Sequence, residues 1–376
     1  MMLLLPKVLL LGVLTGSPFW LQGCSEFELP SDRRLQAEPL PPAVAPLAPP
    51  VPPAPLPPMP TLPPPATLDE TLKKKPKPVL VTPEPILGCP PPPVAGAVPS
   101  PPPPGYTPRL IVRNLCPNLD MWIASSGNVP GERNVKIPPN GTHQYFIPPG
   151  GLSSTRFWPK LWCNEYGQNC AMGSSGGDCQ DCSQAGCAPP VDSKFEASFG
   201  ALGVDCAVDN KGCDWWDTSA VDGFSLPYEV KVDKCPQGKN INCLGLSLGQ
   251  CPSSEILGAA GAQDLRVVDP ASKKVVGCYS PCGKLTYSNW HNPIGAHAPN
   301  SEEAKMFCCP TPPVSSEACR MGPVEQTQFV KLIHQSCPNV YGYAYDDAVG
   351  LQVCPSGTTY TWSIGCPTEP KGSLYF

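Results

Sequence analysis

The chain has 376 residues, among them 56 Pro, 34 Gly and 21 Cys, and only 15% of its residues are charged. Its formal charge is −5, and from Tyr106 onward 24 Asp and Glu face 19 Lys and Arg, so the imbalance sits in that part. A protein held on nucleic acid through phosphate contacts needs a basic surface, so no nucleic-acid partner is expected.

Residues 1–23 read as a secretory signal peptide. Lys7 supplies the positive charge, Val8 to Leu14 an apolar core, and Leu21-Gln22-Gly23 a small residue before Cys24. That core is far short of the roughly 20 residues that cross a bilayer, and no other segment is apolar enough, so no integral membrane span is expected. The rival readings are an uncleaved anchor and a lipid-anchored Cys24, for which Gln22 is a poor fit. Residues 24–105 read as a Pro-rich, polyproline stalk. Of the 56 Pro, 28 fall between Pro39 and Pro104, where fixed φ and missing donors exclude helix and central strand. Such a segment spaces a domain semi-rigidly, or serves as a ligand for a partner or wall polymer. Cys89 lies within it.

Residues 106–376 carry the folded domain, with 19 of the 21 cysteines from Cys116 onward. So many thiols suit an oxidising compartment, where they act as staples, and argue against a cytosolic enzyme. Cys179-Gln180-Asp181-Cys182 has the spacing of half a zinc site, but no second such pair follows and the four histidines are scattered. No metal and no cofactor are expected. Short apolar runs such as Leu110-Ile111-Val112, Met121-Trp122-Ile123, Gln144 to Ile147, Leu351 to Val353 and Thr359 to Ile364 are separated by Gly, Pro and Asn. They predict an all-β sandwich or barrel. A single helix is predicted over Val324 to Ser336, on the periodicity of Val324, Gln328-Phe329 and Leu332-Ile333 after Gly322-Pro323.

From about Arg109 to Pro367 the chain resembles the thaumatin-like, pathogenesis-related and osmotin-like family. The matching stretches, in order, begin with Asn114-Leu115-Cys116-Pro117 and Arg156-Phe157-Trp158 before Cys163. Val221-Asp222-Gly223-Phe224-Ser225-Leu226-Pro227, Gly249-Gln250-Cys251-Pro252 and Gly277 to Cys282 follow. Phe307-Cys308-Cys309, Cys337-Pro338, Tyr341 to Asp347, Cys354-Pro355 and Cys366-Pro367 complete the set. The resemblance implies a β-sandwich core, a disulfide-rich lobe over about 243–337 carrying one helix, a small loop subdomain, and a cleft between core and lobe. It also implies pairing of Cys116 with Cys366, Cys163 with Cys170, Cys235 with Cys354 and Cys243 with Cys337. Cys251 would pair with Cys278, Cys282 with Cys308, and Cys309 with Cys319. Cys179 would pair with Cys182 or Cys187. Cys206 and Cys213 sit close together in an insertion that the family pattern lacks, and a local bridge between them is expected on that spacing.

Carried over residue by residue, the family's cleft would be lined by Arg156, Glu196, Asp217, Asp222 and Asp347 or its neighbour Asp346. Gathered carboxylates suit two chemistries. They accept hydrogen bonds from sugar hydroxyls, and in glycoside hydrolysis one acts as general acid while another acts as base or nucleophile. The expected catalytic pair is Glu196 as acid and Asp222 as base or nucleophile, with Glu196 the carboxyl raised by its neighbours. Each Asp has a plainer alternative as a turn or hydrogen-bond residue, and the Trp215-Trp216 pair reads as core or as a sugar platform. Asn140-Gly141-Thr142 is a glycosylation sequon. The resemblance points to a secreted defence or cell-surface protein, extracellular or wall-associated and monomeric, that binds β-1,3-glucan or another wall polysaccharide. The alternatives are a low-turnover endo-β-1,3-glucanase and a structural wall or matrix protein.

Overall fold

The computed structural model describes residues 101–173 and 191–367. The predicted signal peptide, the stalk up to residue 100, and Cys24, Cys89, Cys179, Cys182 and Cys187 lie outside the described residues. In chain order the first strands are β1 (Thr107–Asn114), β2 (Met121–Ser126), β3 (Asn134–Ile137), β4 (Thr142–Ile147), β5 (Leu152–Lys160), β6 (Lys194–Phe199) and β7 (Cys213–Ser219). Next come β8 (Gly223–Phe224), β9 (Tyr228–Asp233), β10 (Ile241–Asn242), β11 (Glu255–Ile256), β12 (Ala262–Gln263), β13 (Arg266–Val268) and β14 (Val275–Tyr279). The helices are α1 (Pro281–Thr286), α2 (Lys305–Cys308), α3 (Ser316–Arg320), α4 (Gln328–Ser336) and α5 (Asp347–Gly350). Strands β15 (Gln352–Pro355) and β16 (Thr359–Ile364) follow.

Two sheets make the all-β core. One has five strands in the order β10-β9-β16-β1-β4, the other six in the order β15-β7-β6-β5-β2-β3. Alternation drives both. Leu110 and Val112 of β1, and Tyr360, Trp362 and Ile364 of β16, point inward and are fully buried. Phe195 of the six-stranded sheet meets Tyr360 and Trp362 of the other, at ring-centroid distances of 5.5 and 6.1 Å, and stacks on Trp216 at 5.9 Å. Such aromatic pairs add about 0.5–1.5 kcal/mol each beyond area burial. The β1–β16 pair is parallel, Leu110 opposite Tyr360 through Asn114 opposite Ile364, and it brings the two ends of the domain together. Just beyond it Cys116 bonds to Cys366.

Between Cys243 and Cys337, which are themselves bonded, the chain forms short elements held by disulfides. Cys251–Cys278, Cys282–Cys308 and Cys309–Cys319 lie inside this lobe. Elsewhere Cys163–Cys170, Cys206–Cys213 and Cys235–Cys354 are bonded. The lobe departs from the single helix expected. Its helices α1, α2 and α3, like α5 beyond the lobe, are four to six residues long, too short for a periodic signature, and Ser280 and Ser315 cap two of them. Helix α4 begins at Gln328 rather than Val324, because the Thr327 hydroxyl accepts from the Val330 N–H and starts the helix there. Its Phe329, Val330 and Ile333 are buried, and the Glu255 carboxylate accepts from the Phe329 N–H at 2.9 Å. Among the described residues no helix is long and apolar enough to cross a membrane.

Candidate functional site

Strands β5, β6 and β7 carry an in-register row. Arg156 lies opposite Glu196, and Glu196 lies opposite Asp217. Residues directly opposite on antiparallel strands share a face, with Cβ atoms about 4.5–5.5 Å apart. The face is the outer one, because Phe157, Phe195, Trp216 and Thr218 take the inner positions of the same strands and are fully buried. Arg156 Nε donates to Glu196 Oε1 at 2.6 Å, with the two side chains 39% and 23% exposed.

Asp222 reaches the same region from the turn between β7 and β8. That turn depends on Gly223, whose φ of 133° lets the backbone pass so close to β14 that a Cβ would collide with the Cys278 carbonyl oxygen. The Asp222 carboxylate pairs with the ammonium of Lys194, which stands two residues before Glu196 on β6 and is fully buried. Asp347 opens α5. It accepts from the Tyr341 hydroxyl at 2.9 Å and from Arg320 at 3.2 Å. Tyr341 is tied to β7 by hydrogen bonds with Thr218 and Ala220, which sets Asp347 near Asp217.

The structure separates Asp346 from its neighbour. Asp346 is 3% exposed, and its carboxylate is taken by His334 Nε2 at 2.7 Å and the Gly342 N–H at 2.9 Å. Asp347, not Asp346, is therefore the residue in the acidic region. Trp216 is core, whereas Trp215 points to the outer face and is 39% exposed. Asn140 is exposed at the start of its sequon, with φ of 55°.

The row divides its protons unequally. Burial pushes the Glu196 carboxyl up, but the charges of Arg156 and Lys194, with hydrogen bonds from Arg156 and Ser219, outweigh it and hold Glu196 below its ordinary 4.5. Asp217 goes the other way. Burial first, then the negative charges of Glu196 and Asp347, raise it well above 3.8 against the pull of Arg156 and Lys194. The cause is placement. Arg156 touches Glu196, but two strand spacings, about 9–10 Å, separate it from Asp217. The expectation that Glu196 carries the raised acid is thus reversed. Arg156 itself is held more firmly protonated by Glu196, against burial.

Lys194, Tyr341 and Arg320 are absent from the sequence-based set. Lys194 had a usable signal, since a residue two positions from Glu196 in a strand must share its face. Tyr341 opens the family-like stretch that ends at Asp347, but nothing in that stretch marks it as a site residue, and Arg320 comes from a separate segment that no local pattern marks.

The thaumatin family matches residues 114–367. Pathogenesis-related protein 5 of Arabidopsis thaliana is 28% identical over 262 residues, covering 68% of this chain and 89% of that protein. An osmotin-like protein of Nicotiana tabacum is 27% identical over 263 residues, covering 68% and 80%. A protein of Prunus avium named glucan endo-1,3-beta-glucosidase is 27% identical over 216 residues, covering 56% and 71%. With the all-β core, the disulfides and a family match over most of its length, this chain belongs to the thaumatin family.

Proposed function

We propose that the domain is a secreted defence or cell-surface module that binds β-1,3-glucan in an acidic cleft. Residues 1–23 would be its signal peptide and residues 24–105 its stalk. The observation that carries the reading is the Arg156–Glu196–Asp217 row on the outer sheet face, partly exposed and joined by Asp222 and Asp347. Ionised carboxylates accept from sugar hydroxyls, and charge-assisted hydrogen bonds of this kind are about twice as strong as neutral ones. The relative named glucan endo-1,3-beta-glucosidase supports the choice of glucan. The test is retention on insoluble β-1,3-glucan. Wild type should be retained, and Glu196→Gln and Asp222→Asn should each release it. Equal behaviour of wild type and both variants removes the cleft from binding.

A second reading, low-turnover hydrolysis, is favoured by the split between a raised Asp217 and a lowered Glu196. Pairs of carboxyls pushed apart in this way supply a proton donor and an ionised partner. Asp217 would then be the acid, with Glu196 or Asp222 as the ionised partner. Reducing-sugar release from laminarin should be lost in Asp217→Asn. Release that survives this change places the catalysis elsewhere or in a contaminant, and none from wild type leaves binding alone.

A further inference from the structure

Lysine is almost never fully buried unless paired. Lys194 is at 0% exposure, with its ammonium on the Asp222 carboxylate. Besides Asp222, its charge acts on Asp192 and Glu196 of its own segment and on Asp217 of β7. Arg156 of β5 shares Glu196 and Asp217 with it, Lys160 of β5 shares Asp192, and Asp347 of α5 acts on Asp217. Asp192 is buried behind it, and burial pushes that carboxyl up to about 8 against Ser225, Lys194 and Lys160. Stability alone gives no reason for such a lysine, because buried ion pairs are often replaced by apolar groups at no loss. Its position gives a reason. It stands two residues before Glu196 on β6, on the same face as the row, and is bonded to Asp222, which reaches that face from the turn after β7.

We propose that Lys194 is a positioning residue of the acidic site. Its ammonium fixes the Asp222 carboxylate beside the Arg156–Glu196–Asp217 row, and with Arg156 it supplies the second positive charge against which the carboxylates are arranged. Only the consequence for glucan rests on the function proposed above. The Arg156 charge then acts from one end of the row and Lys194 from beside Glu196 on β6. Both lower Glu196 and Asp217, so removing the ammonium moves both carboxyls up.

The experiment is a carbon-detected carboxyl titration of the full chain as wild type, Lys194→Met and Lys194→Arg. In Lys194→Met the midpoints of Glu196 and Asp217 should rise by about one unit, the low end for loss of an opposite charge nearby. Lys194→Arg should restore them. The pH at which laminarin binding is half-maximal should move upward in parallel. Unchanged midpoints in a Lys194→Met protein with wild-type near-ultraviolet circular dichroism overturn the proposal. If Lys194→Met does not fold, Asp222→Asn takes its place. The Lys194 ammonium should give a slowly exchanging nitrogen-bound proton signal in wild type that disappears in Asp222→Asn, and its persistence overturns the proposal. Shifted midpoints in a protein that never binds laminarin keep the role of Lys194 and discard the glucan.

Discussion

Asp214 and Asp217 stand three residues apart on β7 and face opposite sides of one sheet. Asp214 is fully buried. It accepts from Arg109 at 2.5 Å, from the Tyr360 hydroxyl at 2.9 Å and from the Gly200 N–H at 2.7 Å. Arg109 in turn donates to the Thr358 carbonyl at 2.7 Å. Asp217 accepts no hydrogen bond among the described residues and faces another carboxylate. Burial raises the pKa of both, but at Asp214 the opposing influences are donors, whereas at Asp217 neighbouring negative charge adds to burial. A carboxylate whose oxygens are filled by its own fold has no capacity left for a ligand. One left unfilled at a surface keeps that capacity, at a cost in stability.

The largest expected effect is on the filled side. Arg109→Met leaves Asp214 buried without its cation, which should cost about 3–5 kcal/mol of stability in urea denaturation. The molecules that remain folded should bind glucan as wild type does. A loss under about 1 kcal/mol, the ordinary scale for an exposed pair, would erase the distinction between the two sides.

Arg156→Gln tests the open side. The Arg156–Glu196 pair is partly exposed, so its removal should change stability by less than about 1 kcal/mol. Glucan affinity should fall about tenfold, the equivalent of about 1.4 kcal/mol. A stability loss as large as that of Arg109→Met, with affinity intact, would make the row structural.

Asp217→Asn is smaller and has a definite sign. The folded pKa of Asp217 is raised, so as pH climbs above about 4 the unfolded chain releases this proton before the folded one does, which destabilises the fold. The Asn variant should therefore be more stable than wild type at neutral pH. The gain should vanish below about pH 4, where both states hold the proton. Thermal unfolding at pH 3 and pH 7 measures it, and a gain at pH 3 as large as at pH 7 would argue against a raised Asp217.

Much of this was legible in the residues. The alternation of β1 and β16 and the punctuation by Gly, Pro and Asn spell out an all-β core, and Arg156, Glu196, Asp217 and Asp222 stand in recognisable stretches. The register was not legible. Nothing in three separated strands says that Arg156 meets Glu196 rather than Asp217, yet that choice decides which carboxyl keeps its proton. Nor does Asp346-Asp347 reveal which residue turns inward, since that depends on where α5 starts and on His334 arriving from α4. The spacing of Lys194 from Glu196 places both on one strand face, but its partner is set only when Asp222 folds against it.

Asp346 and Asp347 repeat the contrast at adjacent positions, and the smallest prediction concerns them. The hydrogen bond from His334 to Asp346 raises the histidine above its ordinary 6.5, burial opposing and the Asp346 charge assisting. A histidine raised in the folded state contributes stability that is complete below the unfolded value. That stability is lost as pH rises through the higher folded one. Wild type should therefore lose a fraction of a kcal/mol, on the scale of about 0.2–1 for a partly exposed pair, as pH rises from about 6 through the folded value. His334→Gln keeps a donor without the charge, so its stability should stay flat across that window, converging on wild type at the alkaline end. Asp347→Asn serves as the control. Among the described residues its exposed carboxylate hydrogen-bonds with Arg320 and the Tyr341 hydroxyl alone, so the wild-type slope should survive in it. A slope kept in His334→Gln would trace it to another group, and a slope lost in Asp347→Asn would make Asp347, not Asp346, the carboxylate that holds the histidine.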